Sequence, residues 1–92
     1  MGRETILFKT EEKMNINKAA NLLRELADKL ESQKVILKKG NKEVKLSIPE
    51  TVELEIKAER EDGKKRSKKK LEIEIEWVLG EGPKGGSSFT LG

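Results

Sequence analysis

Leu71-Glu72-Ile73-Glu74-Ile75-Glu76-Trp77 alternates apolar and acidic residues without a fault. That is the period-2 pattern of a strand buried on one face and wetted on the other. Leu71, Ile73, Ile75 and Trp77 point one way, and the three glutamates point the other. Upstream, Val52, Leu54, Ile56 and Ala58 alternate with Glu53, Glu55, Lys57 and Glu59, and Asp62-Gly63 between the two runs is a tight-turn signal. With Asp62-Gly63 as a two-residue loop, Glu61 faces Lys64, Leu54 faces Leu71 and Val52 faces Ile73. Both apolar rows then share one face, as a half-buried hairpin requires. The second strand is expected to run to about Trp77 or Leu79.

Working towards the N-terminus, Gly40-Asn41 marks another two-residue turn, between Lys34–Lys39 and a run in which Val44, Leu46 and Ile48 alternate with Lys45 and Ser47. Pro49 has no N–H to give a ladder and marks a corner. Before this hairpin, Ile16, Ala19, Ala20, Leu23, Leu26, Ala27 and Leu30 recur at helical spacing, with Leu22 widening the stripe. Asn15 is suited to cap that helix, and Met14 to pack on Ala19. Ser32-Gln33 ends it. Residues Glu4 to Glu12, with Ile6, Phe8 and Thr10 on one parity, are expected to form a first strand.

The fold expected is therefore α+β in the order β-α-β-β-β-β. One helix packs on one face of a mainly antiparallel, twisted sheet, and charged residues line the other. Residues 1–79 form a single domain, and the Gly/Ser-rich stretch 80–92 forms a flexible tail with Phe89 and Leu91 as its apolar residues. Width is a problem for this arrangement. Five strands at ~4.8 Å spacing span roughly 20–25 Å, whereas a helix is only ~10–12 Å across. Either the sheet curls strongly or an apolar strip near Trp77 meets another surface.

Composition bounds the chemistry. The chain has 92 residues, of which 40% are charged and 34% hydrophobic. The apolar residues are periodic, which favours a folded domain over disorder. There is no Cys and no His. Disulfides, thiolate chemistry, the commonest metal ligand and the usual general base at neutral pH are thereby removed. No apolar run approaches ~20 residues, so neither a membrane span nor a membrane partner is expected, and a cytoplasmic location is the default. Abundant Lys and Glu, one Gln and no Cys match the usage of heat-adapted proteins. With 20 basic and 17 acidic residues the net charge is +3. No global field drives nucleic-acid binding, so any such contact depends on local clustering.

Ile6-Leu7-Phe8-Lys9, the helical segment Asn21 to Glu31 and the ending Leu71 to Trp77 resemble the amphi-Trp domain, a small archaeal and bacterial family named for amphipathic strands ending in Trp. The resemblance covers residues 4 to 79. Its motifs are structural, so it implies the fold and transfers no catalytic residue or cofactor. The family has no assigned activity. The tail and the density of Lys64 to Lys70 go beyond its pattern.

The cluster that invites a function is Lys64-Lys65-Arg66-Ser67-Lys68-Lys69-Lys70. A basic β-ribbon can lie along phosphates or enter a groove. The two-residue loop, however, sets Lys64 against Glu61, Arg66 against Glu59 and Lys70 against Glu55, so cross-strand pairing absorbs much of the run. It leaves Lys57 facing Lys68 as a like-charged pair. Only Phe8, Trp77 and Phe89 are aromatic, all far from the run, so binding would be phosphate-led, weakly sequence-selective and salt-sensitive. Glu72, Glu74 and Glu76 read as charged exterior, and Ser87-Ser88 has no catalytic company. The chain is expected to be a non-enzymatic binding module without cofactor or metal. It would contact RNA, DNA or a ribonucleoprotein through Lys64, Lys65, Arg66, Lys68, Lys69 and Lys70. The alternative is a protein-interaction or homodimerisation domain using Trp77, Phe89 and Leu91.

Overall fold

Asn15 begins the first regular element. Its backbone is extended and its side-chain oxygen accepts from the Lys18 N–H at 2.8 Å, which satisfies one of the unpaired donors of the first turn. Helix α1, Ile16–Glu31, follows. It ends at Ser32, whose N–H donates to the Asp28 carbonyl at 3.2 Å and whose hydroxyl donates to the Lys29 carbonyl at 2.8 Å. Gln33 then takes φ +63°, the left-handed position that closes many helices. A non-glycine residue there must be held from elsewhere, and Ile48 holds it. The Gln33 side chain donates to the Ile48 carbonyl at 2.9 Å, and the Ile48 N–H donates to the Gln33 carbonyl at 3.0 Å.

A computed structural model of the chain describes residues 2–80. After α1 come β1 (Lys34–Lys39), β2 (Lys42–Ser47), β3 (Glu53–Asp62) and β4 (Ser67–Glu76). The α+β class and the helix-then-four-antiparallel-strands order hold. The strands form two sheets of two, β1 with β2 and β3 with β4, rather than one sheet. Pro49, unable to donate to a ladder, stands at the break. Residues 4–12, expected as a first strand, form none. A strand needs a partner for its main-chain groups, and among the described residues none pairs there. Ile6 and Leu7 are exposed and Phe8 is half-buried.

The chain divides into two compact units between Ile48 and Pro49. In the first, α1 packs on β1. The Gly40-Asn41 turn sets Val35 opposite Leu46 and Leu37 opposite Val44, with Gly40 at φ +59°. Val35 and Ile48 are the buried apolar residues, at 4% and 8% exposure. Met14, Ala19, Ala20, Leu26, Leu30, Leu37, Val44 and Leu46 are half-buried around them. Ile16, Leu22 and Leu23, also on the apolar stripe of α1, are exposed.

The second unit is the β3–β4 ribbon. Its loop is Gly63–Arg66, not Asp62-Gly63, because Asp62 faces Ser67. The apolar rows still share a face, with Leu54 opposite Ile75, Ile56 opposite Ile73 and Ala58 opposite Leu71. Two-residue and four-residue loops preserve the same parity, so both satisfy the apolar pattern. What changes is which charges meet. β4 ends at Glu76, and the half-buried Trp77 lies just beyond it. Residues 81–92, including Phe89, Leu91 and most of the expected tail, lie outside the described residues.

Candidate functional site: the charged ribbon

The four-residue loop redistributes the basic run. Lys64, Lys65 and Arg66 occupy the connection itself, Lys68 and Lys70 point to the acidic face of β4, and Lys69 falls on the apolar-row side opposite Arg60. The expected pairs of Lys64 with Glu61, Arg66 with Glu59 and Lys70 with Glu55 are replaced by Glu61 with Lys68, Glu59 with Lys70 and Lys57 with Glu72. The expected Lys57–Lys68 repulsion disappears with them. Arg60, Lys57 and Glu59 were no part of the expected site; counting from the correct loop length would have placed them there.

At the loop, the Gly63 N–H donates to the Arg66 carbonyl at 2.9 Å. Asp62 accepts from the Ser67 hydroxyl at 2.7 Å and from Arg60 Nε at 3.0 Å. These donors favour the ionised carboxylate and hold Asp62 below its ordinary range, the Ser67 hydroxyl most strongly. Among the described residues, no ion pair holds Lys64, Lys65, Arg66 or Lys69.

Midway along the ribbon, four side chains of alternating sign close a ring. Lys57 Nζ lies 3.6 Å from Glu59 and 3.5 Å from Glu72, and Lys70 Nζ lies 3.5 Å from Glu59 and 3.4 Å from Glu72. Lys57 is raised above the usual lysine range by the charge of Glu59 first and Glu72 second. Lys70 is raised by its hydrogen bond to Glu72, and that contact is also the main cause holding Glu72 low. Each exposed pair is weak alone, but together they neutralise Lys70. Lys68 is likewise engaged, 3.7 Å from Glu61. Two of the six expected phosphate contacts therefore already have carboxylate partners.

Towards the open end of the ribbon the signs cease to match. Glu55 faces Glu74, and Glu53 faces Glu76. Glu74 is held above the usual carboxylate range by a shared hydrogen bond with Glu55, then by the charges of Glu76 and Glu55. A carboxyl group raised in the folded state binds more protons there than in the unfolded chain. Its contribution thus favours folding at acid pH and is lost as pH rises through the folded value. Glu74→Gln is expected to raise the melting temperature near neutral pH and to flatten the acid side of the stability profile. Melts between about pH 4 and 7 check this; a variant melting below wild type at neutral pH counts against the repulsion. Among the described residues, no group of three or more acidic side chains converges to hold a metal ion.

The model of the Amphi-Trp domain matches residues 1–92. This chain belongs to the Amphi-Trp domain family. The match runs past residues 4–79, on which the resemblance rests, and takes in the Gly/Ser-rich end. In this Amphi-Trp domain both β3 and β4 alternate apolar and charged residues, and Trp77 follows the last residue of β4. No curated protein and no solved structure matches the chain. No helix among the described residues is long and apolar enough to cross a membrane.

Proposed function

We propose that this Amphi-Trp domain is a non-enzymatic binding module whose β3–β4 ribbon docks its apolar row on a protein surface. One observation carries the proposal. Leu54, Ile56, Leu71 and Ile73 share one face of the ribbon and are 57%, 65%, 69% and 52% exposed. A contiguous apolar face of this kind marks an interaction surface, and Trp77 at the end of its row is a residue type enriched among anchors. The absence of His and Cys supports a binding rather than a catalytic role. Composition alone supports two further parts of the proposal, a cytoplasmic location and a heat-adapted source.

A second function, contact with RNA or DNA phosphates, is favoured by the loop. There Lys64, Lys65 and Arg66, with Lys69 beside them, stand outside the ion pairs that engage Lys68 and Lys70. Retention from native extract, with and without nuclease, separates the two. Wild type, a face variant (Ile56→Glu with Ile73→Glu) and a loop variant (Lys64, Lys65 and Arg66 to Gln) serve as baits. Wild type and the loop variant are expected to retain protein after nuclease treatment, and the face variant to lose it. Retention that survives the face substitutions defeats the docking proposal. Retention that vanishes with nuclease and with the loop substitutions replaces it by the second.

A further inference from the structure

β3 covers one edge of β4, and among the described residues no strand lies along the other. The phase of the ladder fixes which main-chain groups that edge presents. Gly63 is bonded to Arg66, and bonded pairs recur at every second residue of an antiparallel ladder. Glu61 with Lys68, Glu59 with Lys70, Lys57 with Glu72 and Glu55 with Glu74 are therefore the bonded pairs. The N–H and C=O groups of Ser67, Lys69, Leu71, Ile73 and Ile75 face the open edge.

Side chains along this edge are sorted by sign. Lys68 and Lys70 precede Leu71, and Glu72, Glu74 and Glu76 follow it. Charge on an edge strand ordinarily repels a second strand. Here the two halves have opposite signs, so the same edge turned end for end presents the complement. We propose that β4 pairs antiparallel with β4 of a second copy about a twofold axis at Leu71, setting Lys70 against Glu72, Lys68 against Glu74 and Arg66 against Glu76. This goes beyond the docking proposal above: the seam uses the main-chain edge of β4 and leaves the apolar face of both ribbons open.

The seam satisfies two independent conditions, one of strand parity and one of charge. Leu71 faces Leu71, Lys69 faces Ile73 and Ser67 faces Ile75, all residues whose main-chain groups point outward. The odd-numbered apolar rows stay on one side of the four-stranded sheet that results, as a paired register requires. Moving the axis to Lys70 or to Glu72 sets like charges directly against each other, so the charges select Leu71. The outer edge of β3 has no such solution. With Glu53, Glu55, Glu59 and Glu61 around a single Lys57, self-pairing about any residue from Glu55 to Arg60 opposes glutamate to glutamate. The seam also gives Glu74, repelled by Glu55 in its own copy, a lysine on its other side.

Sedimentation equilibrium of the full chain at low and high salt tests the seam. Wild type is expected to dimerise in the micromolar range and to weaken as salt rises. Lys68→Glu and Glu74→Lys each place like charges at both symmetry-related positions, and each is expected to weaken the dimer about tenfold or more. Mixed in equal amounts, the two variants restore opposite signs at every position across the seam and should form a heterodimer far tighter than either variant alone. Glu74→Lys also pairs with Glu55 within its own copy, so it separates loss of the seam from loss of the fold, which circular dichroism monitors. A wild type monomeric up to about millimolar, a Glu74→Lys variant that dimerises undiminished, or a mixture that stays monomeric overturns the proposal. The apolar face takes no part in the seam, so a failed seam with retention still sensitive to Ile56→Glu with Ile73→Glu overturns this proposal and leaves the docking proposal standing.

Discussion

Val35→Ala is expected to lower the unfolding free energy of the first unit by about 2 kcal/mol, from two lost methyl groups and the cavity they leave. Val35 is 4% exposed and lies on β1 beneath α1, opposite Leu46. Only Ile48 is comparably buried among the described residues, so few neighbours can collapse into the space. A unit of this size has little stability in reserve, and the loss is a large share of it. Ile36, the next residue along, is 43% exposed on the opposite face, and Ile36→Ala should cost under about 1 kcal/mol. Urea unfolding followed by the helical circular dichroism signal compares the two. Equal losses would mean that Val35 is not at the centre of the packing.

Gly63→Val is expected to destabilise the ribbon by about 1–3 kcal/mol, the range for an atom forced into occupied space. A Cβ at Gly63 would stand 2.9 Å from the Arg66 carbonyl oxygen. That oxygen cannot simply retreat, because it accepts the Gly63 N–H that closes the loop. Space rather than a left-handed backbone requires glycine here, since Gly63, unlike Gly40, does not take a positive φ. Amide exchange of Lys68, Lys70 and Glu72 reads the outcome, because all three bond inward to β3. Exchange unchanged from wild type would show that the loop closes differently.

Much of this architecture could be read from local signals. Asn15 begins the helix because a capping side chain acts within three residues, and Gly40-Asn41 fixes β1 against β2 because a two-residue loop leaves one register. The longer ribbon was legible only to its parity. Slips that keep odd residues facing even ones exchange apolar neighbours but leave both apolar rows on one face, so the hydrophobic pattern cannot distinguish a loop of Asp62-Gly63 from one of Gly63–Arg66. Charge does distinguish them. In the observed register Lys57 meets Glu72 instead of Lys68, and the ring with Glu59 and Lys70 becomes possible. The same shift decides which basic residues are already partnered, so the candidate site was visible as a cluster but not as a geometry. Residues 4–12 have strand-like composition, but composition does not supply the second strand they would need.

The split of charge along the ribbon means that a net value of +3 describes no part of this molecule's surroundings. Strands of this length extend ~33 Å, while electrolyte at physiological strength damps a charge within ~8 Å. An approaching body senses either the lysine-arginine pole at Lys64–Arg66 or the carboxylate pole at Glu53, Glu55, Glu74 and Glu76, hardly ever both. Encounters in solution are accordingly sorted by orientation before any apolar atom touches.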